Sequence, residues 1–162
     1  MKAYFRITLL AAIFLTTLGM ALALDSPVAP IVITAASAKW VDCPGMPPGC
    51  KTMPLYGDTA KTGEFAARFK YVAGYRIGPH THAGDEHATV ISGGPFHIAV
   101  GDTFDAKAPS GRALHAGDFV LVPAGTHHFA WAEGETVLQV NGIGPFKRNF
   151  INPADNSSGV PK

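Results

Sequence analysis

The chain has no cluster of lysine or arginine, no G-x-S-x-G elbow, no glycine-rich phosphate loop and no cysteine in a basic setting. Each absence removes a class of function. Without a basic patch, nothing neutralises the phosphates of a nucleic acid or grips an anionic membrane surface. Without an elbow, a phosphate loop or an activated thiol, serine acyl transfer, nucleotide hydrolysis and cysteine catalysis lack their residues. Long helical periods are also missing after the N-terminal segment, which excludes a helical bundle. Charge is scarce, at 15% of the 162 residues, while 47% are hydrophobic. That balance suits one globular domain with a real core, not a disordered chain.

The N-terminus reads as a processing segment. Lys2 and Arg6 precede an uncharged run from Ile7 to Ala23, and Ala21-Leu22-Ala23 has the small-x-small pattern of a cleavage site. An uncleaved anchor is the alternative, since the run approaches spanning length. No cysteine sits right after the apolar run, which disfavours a lipoprotein leader. Losing Lys2 and Arg6 with the leader changes the formal net charge from +1 to −1, again unlike a nucleic-acid partner. The expected location is periplasmic or secreted. There the two cysteines, Cys43 and Cys50 in "CPGMPPGC", should close a small disulfide loop. Two thiolates without a nearby histidine supply only half of a zinc site.

Eighteen glycines and thirteen prolines punctuate the chain. "IVITAASAKWV" has the β-branched content of a strand, whereas "DCPGMPPGCKTMP" is too interrupted for regular structure. From Phe65 onward, short β-like runs alternate with turn signals: "FAARFKYVAGYRI", "ATVIS", "FHIAV", "DFVLV", "HHFAWA" and "TVLQVNGI". This spacing predicts an all-β barrel or sandwich. The expected organisation is a signal peptide at 1–23, an N-terminal strand and disulfide loop at 24–64, a β-barrel at 65–150 and a tail at 151–162.

The densest chemistry lies in "GPHTHAGDEH", residues 78–87. Gly78-Pro79 disfavours a helix, and on a strand residues two apart share a face, so His80 and His82 project together. Glu86 has the same parity and returns to that face if the chain stays extended or makes a small excursion at Ala83-Gly84. Asp85 and His87 have the other parity. Two imidazoles and a carboxylate converging on one face describe a divalent-metal site. A further ligand is expected from "PAGTHHFAW", where adjacency leaves His127 and His128 undecided.

These residues resemble the two motifs of the cupin superfamily. The first, G-x5-H-x-H-x3/4-E-x6-G, is met by Gly74, His80, His82, Glu86 and Gly93. The second, G-x5-P-x-G-x2-H-x3-N, is met by Gly117, Pro123, Gly125 and His128, with Ala132 in place of the asparagine. The resemblance runs from about Phe65 to Gly144, and the chain is also similar to small, exported, single-domain bacterial cupins. It implies a double-stranded β-helix, or jelly-roll barrel, with His80, His82, Glu86 and His128 as ligands and His127 facing away or lying behind the site. It implies one divalent transition metal per chain: Fe, Mn, Ni, Co, Cu or Zn. It also implies a metalloenzyme of dioxygenase, lyase or isomerase type acting on a small organic molecule, with Glu86 able to move a proton. The alternative is a non-catalytic protein that binds a metal or small ligand. Pairing of sheet edges, with the N-terminal strand exposed, implies a homodimer.

Other residues are candidates for the pocket. Tyr75 precedes the site, and its hydroxyl is within a strand's reach of a substrate or of the core. His97 opposes Phe96 and Ile98 in parity and points into the pocket or into solvent. Ala130 and Ala132 share the parity of His128 and leave space beside it, while Phe129 and Trp131 pack the other way. Gln139 and Asn141 line the pocket or mark a wet face. Asp85 suits the rim, His87 the opposite side of the sheet, and His115 a surface strand.

Overall fold

The computed structural model describes residues 29–34 and 36–157. The leader expected at 1–23 and the end of the tail, 158–162, lie outside the described residues. Residues 29–32 are exposed and carry no regular structure. The strands belong to one compact unit that begins at Ile33.

Eleven strands form among the described residues: β1 (Val41–Asp42), β2 (Cys50–Tyr56), β3 (Gly63–Tyr71), β4 (Arg76–Thr81), β5 (Glu86–Gly93), β6 (Phe96–Val100), β7 (Arg112–Leu114), β8 (Phe119–Val122), β9 (His128–Ala132), β10 (Thr136–Gly144) and β11 (Asn149–Phe150). One 3-10 turn, Pro153–Ser157, follows. They build two antiparallel sheets, ordered β1-β2-β3-β10-β5-β8 and β11-β4-β9-β6-β7. This is the expected all-β jelly roll.

The core follows from period-two burial. Phe65, Ala67, Phe69 and Tyr71 of β3 are buried, and Leu138 and Val140 of β10 stand opposite Phe69 and Ala67. Ala88 and Val90 of β5 extend this inner face. The second sheet answers with Ile77, Phe96, Ala130 and Ala132. The faces meet through aromatic contacts, with Tyr71 and Phe96 stacked at 5.7 Å between centroids.

Three local expectations are corrected. Of "IVITAASAKWV", Val41 alone is strand among the described residues, and Ile31, Val32 and Ile33 are exposed. β-Branched composition without a neighbouring strand to pair with does not make an edge strand. In "DCPGMPPGCKTMP", by contrast, the last five residues open β2. The Cys43–Cys50 disulfide, with its Cα atoms 5.5 Å apart, joins β2 to the chain before it. Pro54 is tolerated because β1 pairs only with Lys51 and Thr52, and the β2–β3 register shifts just after Pro54. The six-stranded sheet thus reaches back to Val41, ahead of residue 65. His115 is exposed but lies in the turn after β7, where its backbone N–H donates to Asp118 Oδ2 at 2.8 Å.

Candidate metal centre

β4 carries an extra residue relative to β9. Ile77 pairs with Ala130 and His80 with His128, so three steps on one strand match two on the other. This bulge at Gly78-Pro79 turns His80 to the same inner side as Ile77, which strict alternation forbids. It also brings the Gly78 carbonyl 2.8 Å from His80 Nδ1. Gly78 has no room for a side chain, because a Cβ there would press on the side chain of Asp155.

The other two imidazoles are held in the same way. His82 Nδ1 lies 3.0 Å from the Lys147 carbonyl and His128 Nδ1 lies 2.9 Å from the Thr126 carbonyl. A carbonyl only accepts, so each Nδ1 carries the proton and donates it. Each Nε2 then presents a bare lone pair inward. The three ligand atoms lie within 4.8 Å of one another, and His80 Nε2 and His82 Nε2 are 3.2 Å apart. All three side chains are buried.

Glu86 begins β5, which belongs to the other sheet. Its Oε2 is 3.3 Å from His82 Nε2 and 3.4 Å from His128 Nε2. Glu86 therefore reaches the imidazoles from the facing sheet and not by shared parity with His80 along one strand. The chain leaves β4 after Thr81 and crosses between sheets before Glu86. The crossing is pinned by Asp85, whose Oδ1 accepts the Ala124 N–H at 2.8 Å, and by the His82 carbonyl, which accepts the Gly125 N–H at 2.9 Å. These two bonds fasten one motif to the other.

The electrostatics suit a cation. Burial, followed by the nearby His128, Arg148 and His82, pushes the proton affinity of His80 down to a pKa of about 2. Burial acts to raise Glu86, but the Nε2 atoms of His128 and His82 beside it, whenever those rings carry a second proton, outweigh burial and hold the carboxyl below its usual range. Three inward lone pairs and a carboxylate repel one another unless a shared positive charge sits among them. The donor set fits a divalent transition metal, and each ligand imidazole already has the outer hydrogen bond that metal ligands need.

A strap after β10 covers this centre. The Phe146 ring stacks on His82 at 4.1 Å between centroids, and Phe150 lies 5.7 Å from His80. Arg148 stands between them, its guanidinium over Phe69 at 5.7 Å and Phe146 at 5.9 Å. Two cavities meet at Arg148. The inner one, about 20 Å³, is bounded by His80, Glu86, His128 and Ala130; the outer one, about 800 Å³, is bounded by the disulfide loop and the strap.

Of the pocket candidates, Ala130 lines the inner cavity. Tyr75 does not: it is buried in the core, and its hydroxyl donates to the Pro47 carbonyl at 3.2 Å. His97 does not either. The inward positions of β6 are Phe96 and Ile98, and His97 stacks flat on Trp131 at 4.6 Å with Nε2 2.9 Å from Glu133. Gln139 lies outside too, accepting from Arg68 Nε at 3.3 Å, because Leu138 and Val140 take the core face of β10. His127 faces away, 2.6 Å from Asp102, and His87 is exposed near Phe119. Tyr71, Phe146 and Arg148 were not anticipated. For Phe146 and Arg148 the one signal was the alternation of Phe146, Arg148 and Phe150 after the Gly144-Pro145 turn, and Tyr71 showed only the alternation of β3.

The chain matches the ChrR cupin-like domain family over residues 28–147. No curated protein matches it significantly in sequence. Among solved structures it is similar to KdgF from Halomonas sp., at 21% identity and TM-score 0.53 over 68% of this chain and 93% of that one. It is also similar to an RmlC-like cupin from Shewanella frigidimarina, at 21% identity and TM-score 0.54 over 71% and 91%. A salicylate 1,2-dioxygenase from Pseudaminobacter salicylatoxidans resembles it at 17% identity and TM-score 0.49, over 60% of this chain and 27% of that one. The two antiparallel sheets, the buried histidine cluster and the family match agree: the chain belongs to the ChrR cupin-like family of the cupin superfamily.

Proposed function

We propose that His80, His82, His128 and Glu86 hold one divalent transition metal per chain, and that the protein is a metalloenzyme acting on a small organic molecule outside the cytoplasm. The observation that carries this reading is the convergence of three Nε2 lone pairs whose tautomers are set by backbone carbonyls. Such a metal supplies Lewis acidity toward an oxygen of the substrate and, if redox-active, dioxygen chemistry of the dioxygenase type. The chain's own residues do the rest. Gly78, Thr126 and Lys147 fix the imidazoles through their carbonyls. Phe146 and Phe150 exclude water from the outer side. Glu86 is the carboxylate in reach of two imidazoles, so it serves as fourth ligand. The leader and the disulfide support a periplasmic or secreted location.

A non-catalytic metal- or ligand-binding protein is the second reading. In its favour, the inner cavity has room for about one water, so any substrate must approach from the outer cavity. The deciding experiment is elemental analysis of natively exported protein, followed by oxygen-uptake assays with phenolic and dicarbonyl compounds. Near-stoichiometric metal with turnover supports the enzyme. Metal without turnover of any compound favours the binding protein. Protein that takes up no divalent metal on reconstitution sinks the enzyme and leaves only a binder of small ligands without metal.

A further inference from the structure

We propose that the outer cavity takes a small organic carboxylate, anchored by the guanidinium of Arg148 at the point where the cavity meets the histidine cluster. The placing of its reactive end beside a metal rests on the reading above; the carboxylate anchor does not.

The first observation is an unmet donor. Arg148 Nε is buried and has no hydrogen-bond partner among the described residues. The guanidinium's hydrogen bond to a side chain is a long one, from Nη2 to the Tyr71 hydroxyl at 3.4 Å. A guanidinium has five N–H donors in a planar fork, and leaving them unpaired away from water is costly. Among the described residues no carboxylate forms an ion pair with it. The group is nonetheless held in place, packed over the rings of Phe69 and Phe146.

The second observation is the charge and size of the space it faces. Arg148 is the residue shared by the outer cavity and the inner chamber that also contains His80, Glu86 and His128. The outer cavity holds about 800 Å³, ample for a small organic molecule. Lys147 and Arg148 line it, no aspartate or glutamate does, and Phe69, Phe146 and Met46 supply apolar wall. A cationic, acid-free cavity with apolar walls suits an organic anion. A guanidinium fork matches the two coplanar oxygens of a carboxylate, and the apolar wall of Phe69, Phe146 and Met46 suits an organic body rather than bare inorganic phosphate. Arg148 lies just past the segment matched by the family, which ends at residue 147.

The test uses the whole mature protein, metal-free and metal-loaded, with three probes: benzoate, its neutral isostere benzamide, and inorganic phosphate. Binding is followed by calorimetry or by NMR titration. Benzoate is expected to bind at least about tenfold more tightly than either other probe in both forms. R148Q should abolish that preference without changing metal content, and R148K, which keeps the charge, should retain part of it. Equal binding of benzoate and benzamide to the wild type overturns the proposal. So does tighter binding of phosphate, or an undiminished preference in R148Q. If R148Q does not fold, the wild-type ratios decide alone. A preference for benzoate in protein that never takes up metal sinks the metal reading and leaves the anchor standing. Metal uptake without any benzoate preference does the reverse.

Discussion

His80 and His128 stand directly opposite each other on β4 and β9, their ring centroids 4.2 Å apart. One comes from each motif, so the pairing of two strands is what assembles the candidate centre. In His80→Ala and His128→Ala, metal content should fall to a small fraction of the wild type. His127→Ala should keep it, because that ring is on the outer face against Asp102, with a stability cost within about 0.5 kcal/mol. Inductively coupled plasma analysis of the three purified variants checks this. Loss in His127→Ala but not His128→Ala would show that the wrong histidine of the pair has been placed in the site.

Acid should destabilise the metal-free protein, beginning near pH 6.5. His80 is neutral when folded, its affinity lowered to about 2, but takes a proton at its ordinary value of 6.5 once unfolded. The unfolded chain then binds more protons, so stability is full above that pH and falls as pH drops toward the folded value. Glu86 acts with the same sign lower down, from its ordinary 4.5. Calorimetric Tm between pH 8 and pH 4 is the measurement, and His80→Phe should flatten the upper part of the fall. A level Tm from pH 7 to pH 5 would contradict the burial of a neutral His80. In metal-loaded protein the decline should steepen as protons compete for the ligands.

Phe146→Ala should affect both stability and metal. The ring packs against Phe65, Phe69 and His82, and removing a half-buried phenylalanine costs about 2–3 kcal/mol. The neighbouring Lys147 carbonyl orients His82, so metal affinity should drop by about tenfold as well. Urea denaturation reads the first and competitive metal titration the second. Phe146→Leu restores apolar volume and should recover more of the stability than of the affinity.

Two motif glycines should behave differently. Gly74 and Gly93 both have positive φ, 77° and 76°, where a side chain costs about 1–2 kcal/mol. Around Gly74 a Cβ has open space, whereas at Gly93 it would collide with the backbone of Glu135. Gly74→Ala should therefore lose about 1–2 kcal/mol and keep its fold. Gly93→Ala should lose more than about 3 kcal/mol or fail to fold, because the β5–β10 pairing must shift. Equal denaturation midpoints would refute the close approach.

The sequence by itself determined the fold class and the three histidines. Alternation in Phe65, Ala67, Phe69 and Tyr71 marks one buried face, and turn residues between short runs leave no room for helices. Motif spacing selects His128 over His127, a choice that local chemistry leaves open. Tertiary structure decided what alternation cannot express. The bulge at Gly78-Pro79 sets where His80 points, and Glu86 comes from the facing sheet rather than along the same strand. His97 and Gln139 take outward positions because Ile98, Leu138 and Val140 compete successfully for the inside. Arg148 has no local mark of its role, since a half-buried guanidinium with a buried Nε, two supporting rings and a cavity are assembled from β3, the disulfide loop and the strap. Contacts between segments distant in the chain leave no periodic trace in either one, so they become visible only once the sheets are packed.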